Sequence, residues 1–174
     1  MKRIAKRIWL AISILLIALC GACATRGFPP QGGIANCDRV DTRLWRCAQP
    51  TALGLEWLKA QGVKSVVNLR NDPWPGEAAA CARLGLVYTN LPMSGVFPPS
   101  RDRAREILTV MEDMPSPLAI HCEFGADRTG LMAALWRLED DVDWTVAEAA
   151  REQRQYGGSP FLPCFRRFIL DWRP

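Results

Sequence analysis

Histidine is almost absent from this sequence: His121 is the only one in 174 residues. Zinc sites built on several imidazoles are thereby excluded, and the sole C-x2-C pair, Cys20 and Cys23, falls in the N-terminal segment. Excess charge is also missing. Lys and Arg number 22 against 18 Asp and Glu, and Lys2, Arg3, Lys6 and Arg7 account for the whole difference. The rest of the chain is formally neutral, so no basic field marks it as a nucleic-acid binder. No internal repeat or low-complexity tract interrupts the chain, and its length suits one compact domain. One further absence bears on the chemistry: Asn90–Ser100, NLPMSGVFPPS, contains no acid.

The chain opens with MKRIAKR, four cations without an acid, and continues into IWLAISILLIALCGACA, apolar and ending in small residues. That is the layout of a secretory signal or a membrane anchor. Gly21 and Ala22 before Cys23 resemble a bacterial lipobox, with Cys20 where leucine is usual; cleavage after Ala24 and an uncleaved anchor compete with lipidation. Residues 1–24 are therefore expected to export the protein to the bacterial cell envelope and to make the membrane a partner. Residues 25–35, rich in Gly and Pro, read as a tether, and residues 36–174 as the domain.

Five cysteines fall in that domain, and thiols outside the cytoplasm tend to pair. NCDRVDTRLWRCAQP reads as a hairpin around Asp41 to Arg43 that sets Cys37 opposite Cys47. The expected disulfides are Cys37 with Cys47 and Cys81 with Cys164, against the plainer reading that all of them are buried small hydrophobes.

Strands and helices alternate along the domain. PTALGLEWLKAQG is a helix capped by Thr51, VKSVVNLR a strand, PGEAAACARLG a helix ended by Gly85, and LVYTNLP a strand stopped by Pro92. Ser100 caps a longer helix whose apolar positions Ala104, Ile107, Leu108 and Met111 recur at helical spacing. SPLAIH is a buried strand, a helix starts near Thr129, TVAEAAREQRQY is another, and the last is PFLPCFRRFILDW with Ser159 as cap and Pro160 at its first position. The alternation predicts an α/β fold with a mainly parallel central sheet and helices on both faces. Reactive crevices in such sheets lie beyond the carboxyl ends of the strands. Cys122 follows a strand end directly.

AIHCEFGADRTG, Ala119 to Gly130, joins that strand to the next helix. Amide N–H groups of such a turn can face inward as a nest while the helix directs its positive end at the same spot, so a phosphate fits there. Arg128 can bind two phosphate oxygens at once, which lysine cannot reproduce. The same field favours thiolate over thiol at Cys122. Thr129 can donate to the sulfur, and Gly125 and Gly130 permit tight backbone geometry.

HCEFGADRTG resembles the H-C-x5-R-T loop of cysteine-based protein tyrosine and dual-specificity phosphatases. RLWRCAQP, GVKSVVNLR and LGLVYTNLPM extend the likeness to compact bacterial members over roughly residues 36 to 157. The resemblance implies a dual-specificity-phosphatase-like fold and attack of Cys122 on a phosphomonoester. It further implies a phosphocysteine intermediate and hydrolysis by water, with neither metal nor cofactor. The substrate would be a phosphorylated protein or a small phosphomonoester held by Glu123, Phe124, Gly125, Ala126, Asp127 and Arg128, chiefly through backbone amides. His121 is expected to orient the cysteine.

Relatives commonly take the leaving-group proton from an aspartate in an upstream loop, and here that place is the acid-free NLPMSGVFPPS. Asp127 is the candidate replacement, with Asp102 as runner-up and Asp72 read first as turn chemistry. Glu123 is assigned to the rim. Arg70 is open between the crevice and a salt bridge, and Trp74 is the tryptophan suspected of lining the pocket. Two acids in the loop argue for a singly phosphorylated substrate. The rival readings are a non-catalytic phosphate-binding module and a thiol enzyme of the sulfurtransferase or arsenate-reducing kind. Oligomeric state is not encoded in any of these motifs.

Overall fold

The computed structural model describes residues 28, 30–140 and 143–174. The export segment assigned to residues 1–24 lies outside them. Among the described residues no helix is long and apolar enough to cross a membrane.

The elements run β1 (Asp38–Arg39), β2 (Leu44–Cys47), α1 (Ala52–Ala60), β3 (Ser65–Asn68), α2 (Glu77–Arg83), β4 (Val87–Asn90), α3 (Arg101–Asp113), β5 (Leu118–His121), α4 (Arg128–Asp140), α5 (Val146–Gln155) and α6 (Pro163–Leu170). They build one sheet of order β1-β2-β5-β3-β4, in which only the β1–β2 pair is antiparallel. β5 is thus central, and the turn after it opens onto the carboxyl edge of the parallel strands.

Strand periodicity sorts the core into two layers. Leu44, Val67, Leu118 and Ile120 point to the side of α3, α4, α5 and α6, while Trp45, Val66 and Ala119 point to the side of α1 and α2. Arg46 falls on the first side by this alternation, and Cys47, Asn68 and His121 on the second. α4 is buried around almost its whole girth, as befits a helix that runs through the middle of a domain.

Thr51 accepts from the Gly54 N–H, Ser100 from the Arg103 N–H, and Thr145 with Glu148 forms a capping box, so three helix starts sit where their side chains direct. The last helix does not. Ser159 closes only an isolated turn, its Oγ accepting from the Phe161 N–H and its carbonyl from the Leu162 N–H, and α6 begins at Pro163 with Leu162 before it. Part of the expected tether also belongs to the fold. Gln31 pairs with Ile34, Ile34 is 1 % exposed in the α1/α2 layer, and Gly32 packs against Trp57 so closely that a Cβ would stand 2.1 Å from its ring.

The expected disulfides are corrected. Cys37, Cys47, Cys81, Cys122 and Cys164 are all free thiols. The hairpin does align Cys37 with Cys47, as the Asp38–Arg46 register requires, but both stay free thiols and Cys47 Sγ donates to the Ile120 carbonyl at 3.7 Å. The neighbouring Cys37 thiol, with burial, pushes the Cys47 thiol well above its ordinary value. Cys81 lies in the α1/α2 layer, where burial pushes it up to about 12, whereas Cys164 packs against the other layer. The sheet separates them.

Candidate active site

The turn between β5 and α4 gets its shape from the carbonyls it gives away. Glu123 C=O accepts from the Gln49 N–H at 3.2 Å, Phe124 C=O from Asn36 Nδ2 at 2.8 Å, and Gly125 C=O from Arg46 Nη2 at 3.1 Å. In a trans peptide the N–H points opposite to its C=O. Anchoring three successive carbonyls outward therefore turns the N–H groups of Phe124, Gly125 and Ala126 toward the cavity, where no described protein group accepts from them. Gly125 makes this possible: its φ is +69°, and a Cβ there would stand 2.6 Å from the Ala48 nitrogen.

The cavity holds about 440 Å³ and is walled by Cys122, Glu123, Phe124, Ala126, Asp127 and Arg128 on the turn, with Gly95, Val96, Ser159 and Leu162 opposite. Cys122 is 2 % exposed at its floor. Arg128, at the first position of α4, reaches the Gly95 backbone, where a Cβ would lie 3.8 Å from the guanidinium carbon. Arg128 Nη1 and Thr129 Oγ1 are buried without a hydrogen-bond partner among the described residues. Buried donors in that condition are costly unless a ligand meets them. A thiol, inward amides, a free guanidinium edge and a helix start converge on one point, the equipment for holding a tetrahedral oxyanion beside a nucleophile.

Asp127 lines the same cavity, and its Oδ1 accepts from the Ser159 N–H at 2.8 Å and from Gln153 Nε2 at 3.4 Å. Burial raises its carboxyl above the ordinary value, against the Ser159 N–H and the charge of Arg128, which pull it down. The proton is held to a higher pH than on a solvated aspartate.

Two supports flank the turn, one on each face of the sheet. On the α1/α2 side, His121 Nε2 stands 3.0 Å from Glu77 Oε1, and Glu77 also accepts from Gln49, Asn68 and Tyr88. Burial opposes ionisation of Glu77, but the His121 contact and the Gln49 and Asn68 bonds outweigh it and hold the carboxyl below its usual value. On the other side Arg46, 1 % exposed, lies 3.6 Å over the Tyr156 ring. Burial pulls its guanidinium down, opposed by Glu152, Tyr156 and the Cys122 thiol.

The remaining candidates are elsewhere. Asp102 is exposed in the first turn of α3, outside the cavity lining. Asp72 is taken by Arg70 at 2.8 Å, which resolves Arg70 toward its salt bridge, and Trp74 does not line the cavity. Glu123 and Phe124 are exposed at the rim. Sequence reasoning missed Arg46, Glu77, Asn36 and the Ser159 N–H. For Arg46 a signal existed, a cation in the middle of the fully buried strand LWRC; the other three are set by tertiary packing alone.

Fold and turn together define an α/β thiol site for phosphate-like anions. Comparison with known proteins makes that class specific. The chain belongs to the cysteine-based dual-specificity phosphatase family, since residues 31–161 match the family model described as a DSP-PTPase phosphatase fused to NAD+ kinase. It is 32% identical over 131 residues to the dual specificity protein phosphatase TpbA of Pseudomonas aeruginosa, covering 71% of this chain and 55% of that protein. It is 28% identical over 109 residues to a probable chloroplastic NAD kinase 2 of Oryza sativa subsp. japonica, covering 58% of this chain and 11% of that one. The chain thus spans about half or less of the length of these relatives. A crystal structure of P. aeruginosa TpbA in complex with pTyr superposes with a TM-score of 0.69 at 21% identity, covering 84% of this chain and 89% of that one.

Proposed function

We propose that the protein is a phosphomonoester hydrolase of the tyrosine and dual-specificity type. The observation that carries this reading is the single cavity that unites Cys122, the inward amides, Arg128 and Asp127. Cys122 Sγ attacks phosphorus as the bond to the leaving oxygen breaks, and Asp127 gives that oxygen its proton. Water then attacks phosphorus, the S–P bond breaks, inorganic phosphate leaves, and the proton released by water returns to Asp127. Arg128 and the amides hold the equatorial oxygens through both steps, and the Thr129 hydroxyl donates to the departing thiolate.

A singly phosphorylated substrate suits the acid Glu123 at the rim, and the pTyr bound by TpbA makes phosphotyrosyl polypeptides the first class to try. The acid-free Asn90–Ser100 segment favours a second reading, a phosphate-binding module without turnover. The raised Asp127 carboxyl in the cavity weighs against it. Hydrolysis of para-nitrophenyl phosphate in EDTA, with a phosphocysteine trapped by rapid acid quench and absent in Cys122→Ser, tests the reading; phosphate binding without release of nitrophenol would establish the binder. Sulfur transfer from thiosulfate, or turnover that requires an external reductant with arsenate, would replace it with the thiol-enzyme readings.

The N-terminal sequence supports a further part of the reading: export to the bacterial cell envelope with membrane attachment through residues 1–24. Fractionation of the full chain, with and without globomycin, tests it. A protein recovered wholly from the cytosol would end it.

A further inference from the structure

Beside the catalytic cavity lies a second and larger one, of about 540 Å³, between the end of α5 and α6. The two share Ser159, and the segment of residues 158–163 forms the ridge between them. Cys164 donates to the Val96 carbonyl at 3.4 Å, tying the start of α6 to the opposite wall of the catalytic cavity. The ridge is therefore fixed at both ends, by this contact and by the Ser159 N–H on Asp127.

The two openings differ in charge. The exposed rim of the catalytic cavity carries the acid Glu123, with Arg128 inside, while the neighbouring recess is lined by Arg154, Arg166 and Arg167 with Asp171 as its one acid. Asp171 leans toward Arg167 at 3.4 Å, an exposed pair. Arg154 and Arg166 have no acidic partner among the described residues, and Pro163 and Leu170 give the recess an apolar side for a side-chain stem. Nothing in the reaction uses these cations.

We propose that this recess docks an acidic residue of a phosphorylated polypeptide, close in sequence to its phosphorylated residue, a proposal that rests on the phosphatase reading above. A carboxylate directly beside the phosphate would meet Glu123 and be repelled; carried over the ridge it meets two unpaired guanidiniums. Such a pattern selects among substrates by charge placed at a distance from the reacting bond, and acts mainly through encounter and binding. A recess suits a single inserted side chain, whereas a flat anionic bilayer would call for cations on a protruding face.

The test uses the full chain and three substrates: para-nitrophenyl phosphate, a phosphotyrosine peptide with glutamates roughly two to four residues from the phosphorylated residue on both sides and none adjacent to it, and the same peptide with glutamines. At low ionic strength the glutamate peptide is expected to have about a tenfold higher kcat/KM, falling as salt is added. Arg154→Glu with Arg166→Glu should reverse the preference, and the milder Arg166→Gln should reduce it, while para-nitrophenyl phosphate turnover stays within about twofold. Equal kcat/KM for the two peptides overturns the proposal, as does binding of phosphatidylglycerol vesicles that is lost in the double variant without any peptide discrimination. If no substrate is turned over, the phosphatase reading has failed. Fluorescence-polarisation binding of the same two peptides then decides the docking proposal separately, equal affinities ending it.

Discussion

Two segments face each other across the catalytic cavity, and they are built on opposite plans. The 122–127 turn is fixed by three outward carbonyl bonds, a glycine at positive φ and two buried polar networks behind it. The 91–100 segment leaves the sheet through the Leu91 and Met93 N–H groups on the Asn68 and Leu69 carbonyls, turns on the Ser94 hydroxyl, which accepts from the Val96 and Phe97 N–H groups, and leaves Phe97 67 % exposed. Under the proposed reaction the first supplies Cys122, the inward amides and Asp127, with Arg128 and Thr129 following at the start of α4, and the second contributes wall. On that reading nucleophile and acid share one turn, and the acid-free facing segment carries no proton for the leaving group.

The largest effects should come from the turn itself. Arg128→Lys is expected to lower kcat by about 10²–10³, since a lysine cannot span two phosphate oxygens; steady-state kinetics with para-nitrophenyl phosphate measures it, and a loss under threefold would mean that the guanidinium does not hold the transition state. Asp127→Asn should cost about 100-fold on alkyl phosphates, which need a protonated leaving group, and much less on para-nitrophenyl phosphate. The sign of its pH dependence comes from the raised carboxyl. The acid works while protonated, so kcat falls as pH rises through its value, and the variant should lose that descending limb. Equal slowing of both substrates with the limb intact would remove Asp127 from the reaction.

The supports behind the turn come next. Arg46→Met should free the Gly125 carbonyl, lower kcat/KM by roughly tenfold and slow alkylation of Cys122 by iodoacetamide at neutral pH, with Arg46→Lys restoring part of both. Unchanged alkylation in a folded Met variant would reduce Arg46 to packing. Glu77→Gln should destabilise the fold by about 3 kcal/mol near neutrality, by breaking a buried network. The depressed carboxyl fixes the direction with pH. Its stabilisation is present above the ordinary glutamate value and fades as pH falls through the lower folded one, so the gap between wild type and variant should close in acid denaturation series. The smallest effect belongs to the facing segment: Phe97→Ala should change para-nitrophenyl phosphate turnover by less than about twofold. Val96→Asp in an Asp127→Asn background would sharpen the contrast, by asking whether that wall can still serve as an acid loop.

Much of this was legible from residues alone. β-branched runs and caps such as Thr51 and Ser100 set element after element, because each signal is local. The turn was legible because its residue types and spacing carry their own chemistry. Ser159 misled, since its hydroxyl does accept from the Phe161 N–H, but the turn it starts ends at Leu162 and the helix begins only at Pro163. Ile34 misled because a Gly/Pro-rich neighbourhood reads as linker while its one large apolar side chain finds the core. The cysteine pairing erred for another reason: the hairpin geometry was right, but adjacency alone does not oxidise two thiols. Asn36 and Glu77 gave no warning, since both act through partners far along the chain.

Asp127 is clamped by the Ser159 amide and rides on the same turn as the sulfur. Under the proposed reaction an acid held this way needs no loop movement to reach the leaving oxygen, so turnover is expected to show little sensitivity to solvent viscosity at saturating substrate, and the interval between phosphoryl transfer to the sulfur and its hydrolysis would be set by how fast the leaving group departs.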